Sequence, residues 1–109
     1  MTNIAANKKV ITEIVSFDID NSLSQEAFIE IVDSLEMDFH MMQPGYIDSE
    51  LVKARDDSWT MIMHWESLEE VKLASKLLMQ SDSTFRFRQA VIPSTVRMNY
   101  LEQTKVWTK

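Results

Sequence analysis

The chain has 109 residues, of which 45% are apolar and 26% charged, and a formal net charge of −6. That length and composition predict one globular domain over 1–109 of the soluble kind. The negative charge argues against a nucleic-acid partner, since phosphate recognition needs a basic surface and the pair Arg86, Arg88 is too small to supply one.

The absence of cysteine excludes disulfides, thiolate metal sites and cysteine nucleophiles. A single glycine excludes a glycine-rich phosphate loop. No apolar run is long enough to span a bilayer, and the opening stretch MTNIAANKKV lacks the apolar core of a signal peptide. A cytoplasmic protein with no membrane partner is the resulting expectation.

The first element is KKVITEIVSFDID, dense in β-branched residues. Strand alternation puts Ile11, Glu13, Val15, Phe17 and Ile19 on one face and Val10, Thr12, Ile14 and Ser16 on the other. Both faces are apolar or small apart from Glu13, which predicts a central strand covered on both sides. In SLSQEAFIEIVDSLEMDFHMMQPG, Ser22 and Gln25 fit a capping box, and Phe28, Ile31, Val32, Leu35, Phe39 and Met42 recur at helical spacing until Pro44 and Gly45. YIDSELVKA and WTMIMHW read as the arms of a hairpin turning at RDDS.

SLEEVKLASKLLMQS predicts a second helix, capped reciprocally by Ser67 and Glu70, with Leu68, Val71, Ala74 and Leu78 as its buried stripe. DSTFRFRQAVIP predicts a further short helix with Phe85, Gln89 and Ile92 on one side and Pro93 as its stop. STVRMNYLEQTKVW is the last strand. The order β-α-β-β-α(α)-β is the split arrangement of an α+β, ferredoxin-like fold, an antiparallel sheet with its helices on one face. The other face would be apolar in the first and third strands, and exposed apolar area of that size marks an interface. A homodimer burying the two open faces against each other is expected.

PGYIDSELVK, a short turn, and then WTMIMHWESLEEV resemble the antibiotic biosynthesis monooxygenase superfamily of dimeric α/β-barrel proteins over about residues 9–104. The resemblance implies the fold more specifically than the chemistry, because the superfamily includes cofactor-independent monooxygenases, heme-degrading enzymes and isomerases. Against the heme-degrading pattern, Glu13 stands where those members carry asparagine, Ala74 falls where they carry tryptophan, and STFRFRQA holds no histidine to ligate iron. Heme is therefore not expected, and neither a metal nor any other cofactor is implied.

Glu13 is the most informative residue. A carboxylate buried in such a strand has a raised pKa unless a cation or donors stabilise it, which suits a general base near neutral pH. The alternative is a structural pair with an arginine such as Arg97, across the sheet or across the dimer interface. His64, alternating with Thr60 and Ile62 and opposite Met61, Met63 and Trp65, would point to the dimer side, either as a proton shuttle or as a packed, hydrogen-bonded residue. His40, four residues after Glu36 at a helix end, reads as a surface residue.

Tyr100 is a candidate to assist Glu13, and Trp59, Trp65 and Phe28 are candidates to bind substrate within a methionine-rich interior. Two functions follow. One is a cofactor-independent monooxygenase-like enzyme acting on a small aromatic or apolar substrate, with Glu13 as base and His64 or Tyr100 assisting. The other is a non-catalytic, ligand-binding or stress-related homodimer of the same fold. A pocket that reaches Glu13 and holds another polar group within hydrogen-bond distance favours the enzyme, and a solid core there favours the non-catalytic reading.

Overall fold

The computed structural model describes residues 9–109; the opening stretch to Lys8, read above as lacking a signal-peptide core, lies outside them. The elements are β1 (Ile11–Phe17), α1 (Gln25–Asp38), β2 (Tyr46–Lys53), β3 (Trp59–Trp65), α2 (Leu68–Leu78), α3 (Phe85–Ala90) and β4 (Arg97–Glu102). The four strands form an antiparallel sheet in the order β2-β3-β1-β4. This is the expected α+β, ferredoxin-like arrangement, with β1 central.

Register explains which side chains share a face. Glu13 lies opposite Met63 on β3 and Tyr100 on β4, while Phe17 faces Trp59 and Ile11 faces Trp65. The buried row Trp59, Met61, Met63, Trp65 alternates with half-buried Thr60, Ile62 and His64, so one face of the sheet is packed under the helices. Above it α1 buries Phe28, Ile31, Val32 and Leu35, and α2 buries Val71 and Ala74. At the Trp59 end, Phe28 packs on Trp59 with ring centroids 5.1 Å apart and on Phe17 at 6.0 Å. Phe87 meets Phe17 edge-on at 5.6 Å. Each such ring contributes on the order of 2–3 kcal/mol by leaving water.

Local chemistry sets the element ends. Ser24 caps α1 by accepting from the Ala27 amide, in place of the expected Ser22, whose own amide donates to Asp20 Oδ1 in a turn. The helix stops at Asp38, earlier than Pro44, because Phe39 leaves helical geometry and the chain continues as a 3-10 turn over His40–Met42. Met42 consequently falls off the buried stripe and is 73% exposed. Ser67 and Glu70 form the expected reciprocal cap of α2. Gly45 takes φ +83°, a left-handed conformation natural to glycine, and its carbonyl accepts from Glu66 N at the end of β3.

The packed side of α3 is assigned and one expectation is corrected. In α3 it is Phe87 that packs on the core, whereas Phe85 and Ile92 are exposed, because the Thr84 hydroxyl ties the start of α3 to the Leu78 and Ser81 carbonyls and so sets its rotation. The open face of the sheet is of mixed polarity. Ile14, Ile62, Val52 and Leu101 sit among Thr12, Ser16, Thr60, His64, Asp48, Glu50, Asn99 and Arg97. Among the described residues no helix is long and apolar enough to cross a membrane.

Candidate active site

A cavity of about 250 Å³ lies between the sheet and the two later helices. Its sheet side is built by Glu13, Val15 and Phe17 of β1 and by Met61, Met63 and Trp65 of β3, and α2 and α3 cover it with Ala74, Ser75, Leu78, Phe87 and Arg88. The wall is overwhelmingly apolar, and its polar groups are few and placed. Such a lining suits a small ligand that is mostly hydrophobic with one or two groups to orient.

Glu13 is 4% exposed. The Trp65 indole donates from Nε1 to Glu13 Oε1 at 3.0 Å, the sole side-chain hydrogen bond of that carboxyl that is shorter than 3.5 Å among the described residues. Burial pushes the Glu13 carboxyl above its ordinary range, an effect opposed by the positive charge of His40, the Trp65 indole and the Ser75 hydroxyl, and reinforced by the neighbouring Glu36. Tyr100, beside Glu13 across the β1–β4 ladder, shares a hydrogen bond of 2.9 Å with Ser75 Oγ. Among the described residues no lysine or arginine pairs with Glu13. Arg97 sits on the open face and donates to the Ser94 and Val96 carbonyls, so the ion pair with Glu13 across the sheet does not form within the chain.

The histidine of the site is His40, not His64. His40 is 3% exposed and lines the cavity, where a surface position was expected. Its ring lies nearly parallel to Tyr46 at 6.2 Å and meets Trp65 edge-on at 6.0 Å. Its Nδ1 bonds Glu36 Oε2, and Glu36 Oε1 accepts from Ser49 Oγ and, at 3.3 Å, from the Tyr46 hydroxyl. Burial works to raise the Glu36 carboxyl, but the His40 bond and charge together with the two hydroxyls outweigh it and hold the group below its usual range. Burial likewise raises the Tyr46 phenol. Among the described residues, His40 Nε2 has no protein partner, which leaves it available to a ligand. The sequence signal was present, since Glu36 and His40 are four apart, the spacing that brings two side chains together on a helix edge. That spacing does not say whether the edge is covered.

The other candidates fall as follows. His64 points to the open face and bonds Asp48 Oδ1 through Nδ1 at 2.6 Å, outside the cavity, because strand alternation separates it from Met63 and Trp65. Trp65 is part of the cavity wall. Phe28 and Trp59 do not line it; they belong to the aromatic cluster at the far end of β3 from Trp65. Among the described residues, no group of three or more His, Asp or Glu is arranged to hold a metal ion.

No protein-family model matches the chain, and no curated protein matches it in sequence. Solved structures do match it in shape. SnoaB, a cofactor-independent oxygenase from Streptomyces nogalater, superimposes with a TM-score of 0.57 at 19% identity, over 92% of this chain and 96% of that one. A candidate antibiotic biosynthesis monooxygenase from Caulobacter crescentus gives 0.67 at 13%, over 90% and 92%. Another from Nitrosomonas europaea gives 0.62 at 10%, over 93% and 94%. Along nearly its whole length the chain shares the fold of antibiotic biosynthesis monooxygenase-like proteins.

Proposed function

We propose that this protein is a cofactor-independent monooxygenase-like enzyme, acting on a small aromatic or otherwise apolar substrate held between the sheet and α2 and α3. The observation that carries the reading is a buried carboxyl, Glu13, at the wall of an apolar cavity, with an indole donor fixing one oxygen and, among the described residues, no lysine or arginine paired with it. A carboxyl so placed is a proton acceptor of raised basicity. That the cavity reaches Glu13 and holds the Trp65 indole within hydrogen-bond distance of it, with His40 also in the wall, favours the enzyme over the non-catalytic binding protein.

In this mechanism Glu13 takes a proton from an acidic C–H or O–H of the bound substrate. The substrate anion gives its electrons to dioxygen, and the peroxide formed on carbon loses water. A CH₂ group and O₂ thus become C=O and H₂O, with the substrate supplying all the electrons. Trp65 holds Glu13 in place, His40 is oriented by Glu36 to return a proton to the departing oxygen, and Tyr100 positions Ser75 beside Glu13. The shape shared with SnoaB supports this chemistry. Anthrone-like and hydroxyquinol compounds are the natural test panel. Oxygen uptake above their autoxidation rate, one O₂ per substrate, is expected; uptake at background across the panel would overturn the reading in favour of simple binding.

The protein acts as a homodimer in this reading, since Ile14, Ile62, Val52 and Leu101 lie on a sheet face that none of the described helices covers. Light scattering should give twice the mass of one chain at micromolar concentration, and a monomer there would remove the dimer from the proposal.

A further inference from the structure

We infer that the cavity selects ligands bearing an anionic group, a carboxylate or phenolate, which Arg88 receives at the α3 side while the apolar body lies toward Trp65. The inference rests on reading the same cavity as a ligand site, but not on any reaction there.

Arg88 is a half-buried cation in the wall of an otherwise apolar cavity. The chain carries 17 acidic residues against 11 lysines and arginines, yet among the described residues none of the acids lies within ion-pairing distance of Arg88. A partly buried guanidinium without a counter-charge gains when an anion arrives beside it.

The side chain is also held ready. Nε donates to Thr84 Oγ1 at 3.1 Å and Nη2 to the Ser81 carbonyl at 2.9 Å, while the guanidinium lies over the Phe85 ring at 5.6 Å. Thr84 is itself fully buried and anchored to the Leu78 and Ser81 carbonyls. These bonds occupy two of the five guanidinium N–H donors, and Nη1 has no partner among the described residues. A planar fork with fixed orientation and donors to spare is the geometry that takes a carboxylate or phenolate oxygen. A role confined to bracing α3 against the end of α2 would need the two bonds to Ser81 and Thr84 but not a position in the cavity wall.

The test uses naphthoate and its neutral isostere naphthamide, followed through the indole N–H signal of Trp65, whose donor faces the cavity wall. Naphthoate should bind at least about tenfold more tightly than naphthamide, the effect of one charge-assisted contact. Arg88→Met should abolish that preference by weakening naphthoate far more than naphthamide, and a dispersed spectrum with the Trp65 indole signal in place shows that the variant is folded. If Arg88→Met fails to fold, Arg88→Gln is held to the same result. Equal affinities in the wild type, a preference that survives both substitutions, or binding of neither probe overturns the inference. A protein that prefers naphthoate but consumes no oxygen with any substrate sinks the oxygenase reading alone. One that oxygenates substrates without regard to their charge sinks this inference alone.

Discussion

Glu13→Gln is expected to lower turnover of any oxygenated substrate by roughly 10²–10⁴-fold, the usual contribution of a positioned general base. The amide keeps the shape of the carboxyl, and its oxygen can still accept from the Trp65 indole, so fold and oligomeric state should be retained. Stability should respond with a definite sign. At pH below the ordinary carboxylate range Glu13 is neutral in folded and unfolded chains alike, and wild type and variant should be equally stable. As pH rises toward the raised folded-state value, the unfolded chain releases the proton first and the wild type loses stability relative to the variant. The variant's advantage should therefore grow through that window and then level off. Glu36 slopes the other way because its carboxyl is held low, so its contribution is lost on acidification. The difference between wild type and Glu13→Gln removes that background. Full turnover in the variant would leave Glu13 a structural role only, and denaturation curves that differ equally at every pH would contradict a Glu13 carboxyl raised by burial.

Gly45→Ala should destabilise the fold by about 2–4 kcal/mol, combining a left-handed backbone imposed on alanine with a disturbed helix cap. Gly45 has φ +83°, and a Cβ there would lie 2.5 Å from Cδ and 2.9 Å from Cβ of Glu70. Glu70 completes the cap of α2, so pushing it aside also releases Ser67. Chemical denaturation of Gly45→Ala and of Gly45→Ala with Glu70→Ala separates the two effects. The double variant should relieve the clash with the Glu70 carboxyl end and keep the backbone penalty, the lost cap and the close approach to the Cβ of residue 70. A single variant within about 0.5 kcal/mol of wild type, the range of an ordinary surface change, would show that neither effect operates.

Much of this architecture is legible in the sequence because it is written in local patterns. The bounds of β3, the face shared by Met61, Met63 and Trp65, and the Ser67–Glu70 cap all follow from alternation and spacing. What spacing cannot express is which surfaces the rest of the chain covers. His40 is a helix-end histidine with an acidic neighbour, in isolation a solvent-facing pair, and it becomes buried because Tyr46 and Ser49 of β2 and Trp65 of β3 close over it. Phe85 and Phe87 differ by two places, and the Thr84 tether chooses between them. Ser22 and Ser24 are both plausible caps, and the turn that Asp20 makes with Ser22 decides for Ser24. Glu13 was visible as a lone acid in an apolar strand; its indole partner lies 52 positions away and required the fold to be seen.

The strand order places β2 and β4 at the two borders of the sheet, and these borders are not equivalent toward a foreign strand. Near the start of β2 the pairing skips a residue between Tyr46 and Asp48, and Asp48 and Glu50 follow. A kinked margin carrying like charges repels an incoming backbone. β4 pairs in regular register, with uncharged Met98, Asn99, Tyr100 and Leu101 between Arg97 and Glu102. Lateral growth of the sheet, whether as ordered assembly or as aggregation during unfolding, therefore has one permissive side, and a lysine at Asn99 is the change that would close it.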